Sequence, residues 1–175
     1  AEKAVRDIII ESQSADPGTE GRKVGDLYAS FLDEARIQAL GAEPIAEAIA
    51  EAEKVDSIDS LLETLGRLER GGSSGFFQVF VDNDPGQPER YLVFLEQGGL
   101  GLPDESYYRE EKFAEIRTKY LAFVERMLGL AGLDDPAARA ARIVALETEL
   151  ATHHWDNVAN RDSEKTYNPM LWSAA

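Results

Sequence analysis

Phe76-Phe77-Gln78-Val79-Phe80-Val81, then Asp82-Asn83-Asp84-Pro85-Gly86-Gln87-Pro88, then Tyr91-Leu92-Val93-Phe94-Leu95 is the one stretch of this 175-residue chain that reads as β-structure. Its two outer runs are aromatic and β-branched and of strand length. The segment between them has turn chemistry, with Asp, Asn, Pro and Gly in close order. Two strands alone are barely stable in water, so a hairpin spanning about 76–96, with strands near 76–81 and 91–95, is expected to lie against helices. Everything outward from it repeats at helical spacing. Upstream, Gly71-Gly72-Ser73-Ser74-Gly75 reads as a flexible joint after a helix with the stripe Ile58, Leu61, Leu62, Leu65 and Leu68, opened by Asp56 and Asp59 in a capping arrangement. Before that, Pro44 suits the first turn of a short helix carrying Ile45, Ala48, Ile49 and Ala52. One helix is expected to carry Val24, Leu27, Tyr28, Phe31, Leu32 and Ala35 as far as Leu40 and to stop at Gly41. At the start, Val5, Ile8 and Ile9 read as a helix already under way, so the chain looks cut from something longer. Downstream, two long helices follow Pro103. The first carries Phe113, Ile116, Tyr120, Val124, Met127 and Leu128; the second is opened by Asp135 as N-cap with Pro136 behind it. The expectation is a single, mainly α domain with one β-hairpin: helices in 1–70 and 104–155, and an irregular tail over 156–175.

Composition narrows the function. There are 33 acidic and 18 basic residues, a formal net charge of −15, and no cysteine. A phosphate backbone is a poor partner for such a surface, because nucleic-acid binding draws on a lysine and arginine surplus. Disulfides and thiolate metal sites are excluded by the missing cysteine. No apolar run approaches the ~20 residues of a membrane span. A cytoplasmic location is the expectation, with export of a longer parent left open.

The chemistry available to the chain alone is thin. Its two histidines, His153 and His154, are adjacent, and neighbours on a helix point about 100° apart. They lack the i, i+4 spacing and intervening glutamate of a zinc-binding HExxH. Asp82, Asn83 and Asp84 fall short of a calcium loop, since the glycine comes one place early and Val93 stands where the twelfth-position glutamate belongs. The glycines at 71–75 have no following lysine to make a phosphate loop. Glu147 lies on the same stripe as Ile143, Val144, Leu150 and Ala151, and partial burial beside a cation is expected of it. No catalytic or metal-binding residue is assigned, and a substrate-binding residue is not identifiable.

Four segments, in order, resemble the neprilysin and endothelin-converting-enzyme family of zinc metallopeptidases. They are Leu27-Tyr28-Ala29-Ser30-Phe31 through Glu34 to Gly41-Ala42-Glu43-Pro44; Gly99-Leu100-Gly101-Leu102-Pro103-Asp104-Glu105-Ser106-Tyr107-Tyr108; Ala145-Leu146-Glu147-Thr148-Glu149-Leu150-Ala151; and Arg161-Asp162 with Lys165-Thr166-Tyr167-Asn168-Pro169-Met170. The alanine-rich, cysteine-free style resembles a bacterial member. The resemblance implies a piece from the N-terminal half of a longer metalloendopeptidase, mostly from the helical domain that caps the active-site cavity and restricts entry to peptides. Zinc and its ligands, in HExxH and ExxxD, would belong to the rest of that protein, because neither motif occurs in these 175 residues. The motif residues carried over, Glu43, Pro44, Leu100, Gly101, Leu102, Pro103, Tyr107, Tyr108, Glu147, Arg161, Tyr167 and Asn168, are then expected to be structural. Gly101 would supply an unusual backbone conformation and the two tyrosines would anchor the next helix. Implied partners are the missing catalytic domain of the same polypeptide and, for the whole protein, peptide substrates. Weak self-association through the tail Tyr167–Trp172 or one hairpin face is expected of such a piece. A free-standing helical interaction module without enzymatic activity is the alternative.

Overall fold

A computed structural model describes residues 1–73 and 75–174; Ser74, inside the expected glycine-rich joint, and Ala175 lie outside the described residues. The chain divides into two units, 1–44 and 45–175.

The first unit is helical: α1 (Glu2–Ser12), α2 (Glu20–Phe31) and α3 (Glu34–Leu40). Thr19 opens α2 by accepting from the Arg22 amide at 3.2 Å. The end of α1 crosses α2 at Gly25, the buried residue of that helix, where a Cβ would run into the backbone of Ser12 and Gln13. The single helix expected from Val24 to Leu40 is in fact two. Leu32 ends α2, and the Asp33 carboxylate starts α3 by accepting from the Arg36 amide at 3.0 Å. A short polar cap outweighs the unbroken apolar period there. Gly41 closes α3 with φ +54°, in the region that favours glycine.

The second unit begins with α4 (Ala46–Ala52), after a 3-10 turn over Glu43–Ile45, and α5 (Ile58–Arg70). The cap of α5 is not the expected Asp56 and Asp59: Ser57 and Ser60 bond reciprocally in a capping box. The hairpin lies where expected but its strands are longer, β1 (Phe77–Asp84) and β2 (Gln87–Gln97), antiparallel, with Val81 opposite Val93 and a register shift after Asn83. Then come α6 (Ser106–Arg109), α7 (Ala114–Leu130), α8 (Pro136–His153) and α9 (Ser163–Thr166), with 3-10 turns at Glu111–Phe113, Ala159–Arg161 and Trp172–Ala174. Helices α7 and α8 pack together, and Ala140 of α8 is fully buried. Asp135 occupies the N-cap position but makes no side-chain cap; its backbone is left-handed (φ 48°) instead of the extended form a capping side chain needs. Among the described residues no helix is long and apolar enough to cross a membrane.

Little of the apolar side-chain surface is fully buried: among the described residues the buried apolar side chains are Tyr108, Ala140 and Ala151. The accessible area is 13603 Å². A compact 19.3 kDa monomer would expose roughly 8,500 Å², and two separate compact bodies dividing the same mass roughly 10,000 Å².

Candidate functional site

The loop that leaves β2 is shaped by glycine. The Gly98 amide returns to the Phe76 carbonyl at 3.0 Å, and Gly99 turns with φ +84° against Phe76 and Leu150. Gly101, in contrast, is not in the left-handed region, which corrects the expectation for it. It is needed for space: the Tyr120 hydroxyl stands where its Cβ would be, with Glu147 Oε1 3.2 Å from that point. Asp104 then accepts from the Ser106 amide at 2.9 Å and hydroxyl at 2.5 Å and leads the chain into α6, while Asn157 donates to its other oxygen at 2.7 Å. The hydrogen bond from the Ser106 hydroxyl leads the forces that hold the Asp104 carboxyl below its ordinary range, against the opposing effect of burial.

Tyr108 is 6% exposed and lies at the centre of the cluster. Its hydroxyl donates to Glu147 Oε2 at 2.7 Å and accepts from the Leu102 amide at 3.1 Å. Tyr120, from α7, donates to Glu147 Oε1 at 2.9 Å. Burial pushes both phenols well above their usual range, and the hydrogen bond to the Glu147 carboxylate pushes the same way. Glu147 is therefore half-buried on α8 as expected, but its partners are two phenols and not a cation. Both of its oxygens are engaged, so the carboxylate fastens the 98–103 loop, α6 and α7 to α8. Tyr107 lies beside this cluster, stacked on Phe113 with ring centroids 4.0 Å apart, and Arg117 donates to the carbonyls of Tyr107 and Glu110 at 2.9 and 2.7 Å. Next to the cluster a groove of 470 Å³ is bounded by Glu105, Tyr108, Arg109, Thr148 and Asp156. Two of its lining residues, Arg109 and Glu105, form a two-pronged pair at 2.7 and 3.1 Å.

A second cluster sits at the hairpin turn. Asp84 is fully buried (0% exposed). Its Oδ1 accepts from the Gly86 amide and the Tyr167 hydroxyl, both at 2.8 Å, and Oδ2 accepts from Arg90 at 2.6 Å. Burial pushes this carboxyl up, but the hydrogen bonds from Tyr167, Arg90 and Gly86 together outweigh it and hold the group below its ordinary range.

Of the motif residues, the structure gathers Leu100, Gly101, Leu102, Pro103, Tyr107, Tyr108 and Glu147 in or beside the first cluster and sends Tyr167 to the second. Glu43 and Pro44 are exposed in their 3-10 turn, Arg161 is exposed at the end of another, and Asn168 donates to the Lys165 carbonyl at 2.6 Å. Sequence reasoning missed Tyr120 and Asp84. Tyr120 carried only a helix-stripe signal, whereas Asp84 before Pro85-Gly86 is a recognisable start for a turn closed by an Asp side chain. His153, in the last turn of α8, faces Glu149 at 3.7 Å, and His154 follows at the helix end. Among the described residues no three His, Cys, Asp or Glu side chains are grouped to hold a metal ion, so these residues do not fit a zinc site.

The family model described as Peptidase family M13 matches residues 1–175. Endothelin-converting enzyme 1 of Cavia porcellus is 29% identical, in an alignment covering 96% of this chain and 24% of that protein. The cryo-EM structure of Mycobacterium tuberculosis zinc metalloprotease Zmp1 in its open state is 43% identical and superimposes with a TM-score of 0.90, covering 99% of this chain and 28% of that one. PepO from Lactobacillus rhamnosis HN001, at 22% identity, shares the fold with a TM-score of 0.79 over 99% of this chain and 28% of that one. This chain thus spans about a quarter of the length of the relatives it matches.

Proposed function

The chain belongs to peptidase family M13, and from that premise we propose that it is a non-catalytic part of a zinc metalloendopeptidase, forming a stretch of the helical domain that caps the active-site cavity and limits entry to peptides. The observation that carries the reading is the likeness to a zinc metalloprotease along 99% of the chain at 43% identity. Hydrolysis and zinc would then belong to the remainder of the polypeptide. The part played by these residues is geometric: a wall of helices fastened through Glu147, Tyr108 and Tyr120 sets the size of what reaches the cavity, a gating contribution and not a chemical one. A cytoplasmic bacterial location is part of the same proposal.

The test uses the full-length protein and two fluorogenic peptides with the same cleavage sequence, one short and one carrying long flanks. Loosening the wall with Glu147→Gln should leave zinc content and turnover of the short peptide nearly unchanged and raise relative turnover of the long one severalfold. Equal loss on both peptides with zinc retained would place these residues in the chemistry and refute the gating role.

A further inference from the structure

The hairpin has two unlike faces. The pairs Phe77–Gln97, Val79–Leu95, Val81–Val93 and Asn83–Tyr91 share one face, and Gln78–Glu96, Phe80–Phe94 and Asp82–Leu92 share the other. A sheet with one face to water ordinarily turns its charges outward and its apolar side chains in. Here the order is inverted. The face that carries Asp82 and Glu96 is the one where Leu92 and Phe94 are half-buried, and the Phe80 and Phe94 rings stack on it 5.1 Å apart. The other face has no charged side chain in its eight positions, although the chain has 33 acidic and 18 basic residues. Its six apolar members are all exposed, Val81 by 65% and Val93 by 56%.

We propose that this uncharged face, centred on Val79, Val81, Val93 and Leu95, is an internal docking surface covered by the part of the same polypeptide outside these 175 residues, through an apolar, uncharged counter-surface. The proposal rests on the reading above only in requiring a longer chain. Three observations choose this occupant. The chain makes up 28% of the length of a relative it matches along 99% of its own residues, which leaves most of such a polypeptide to supply cover. The accessible area exceeds by thousands of Å² what a self-contained protein of this mass exposes, so surface built for burial is present in quantity. A second copy would bring another formal charge of −15 to the contact, whereas a tethered segment arrives at high effective concentration with no such repulsion.

The test is made in the full-length protein with Val81→Thr and Val93→Thr, which keep shape and strand preference, and Gln78→Lys, an exposed position on the opposite face, as control. A hydroxyl forced into a dry contact loses water, while the same hydroxyl in solvent loses nothing. The expected result is a fall in melting temperature of roughly 5 °C for the double Thr variant, with unchanged mass in light scattering and no fall for Gln78→Lys. An unchanged melting temperature would overturn the proposal. So would conversion of a dimer to a monomer, which assigns the face to a second copy, or a raised KM at constant melting temperature, which assigns it to the peptide. If the unmodified protein cleaves no peptide while the Thr variants still melt early, the docking surface stands and the peptidase reading falls.

Discussion

Tyr108→Phe keeps a buried ring and deletes one oxygen, so its effect isolates the hydroxyl. That oxygen makes two bonds, to the Glu147 carboxylate at 2.7 Å and from the Leu102 amide at 3.1 Å. A hydrogen bond to a charged group contributes about 1.5–3 kcal/mol net and a neutral one about 0.5–1.5. Leu102 is half-buried, so water can partly replace the second bond. The loss should therefore lie near 2–3 kcal/mol, toward the lower end of the summed range. Tyr120→Phe removes a single bond to the same carboxylate, at 2.9 Å, and should cost about 1.5 kcal/mol. The ordering of the two variants is the sharper expectation. Urea unfolding at neutral pH, with slopes checked for equality, measures both, and a cycle combining Tyr108→Phe with Glu147→Gln should return a coupling of about 1 kcal/mol or more. If Tyr108→Phe costs less than Tyr120→Phe, or below about 0.5 kcal/mol, the hydroxyl is solvated and the fastening role is wrong.

Gly101→Ala should destabilise by about 1–3 kcal/mol, because the new methyl takes the place of the Tyr120 hydroxyl; adding Tyr120→Phe should recover part of the loss, and additive costs in the double variant would refute the steric account. Raised phenol pKa values favour the neutral hydroxyl in the folded state, so their contribution is complete below the unfolded value of about 10 and is lost as pH rises above it. Unfolding midpoints should fall above about pH 10, less steeply in Tyr108→Phe; phenolate absorbance appearing for both residues near pH 10 in the folded protein would count against this.

The hairpin was legible because its strands and turn are contiguous, and the long helices because apolar period and length agree. What escaped reading depended on competition or distance. The break at Asp33 turns on one carboxylate overriding a continuous stripe, and the cap at Ser57 on choosing between neighbouring polar residues of similar merit. Glu147 showed its burial through its place on the stripe, yet its partners come from 39 and 27 residues away, and a tyrosine in a helix reads first as core. Gly101 was marked by its motif, but the reason for a glycine there lies in a side chain on another helix.

Asp84 and Tyr167 are 83 residues apart, and their bond closes a circuit containing α6, α7 and α8. Closing so long a loop costs only about 0.6 kcal/mol more per doubling of its length, so distance alone is a weak obstacle. The pairing of α7 with α8 folds much of that loop into a local hairpin and shortens the search its ends must make. On that ground the hairpin turn and the tail are expected to meet after the helical pair has formed, as a clasp on something already assembled. A pull that draws the tail away from the hairpin turn is expected to load that clasp directly, where one phenol meets one carboxylate.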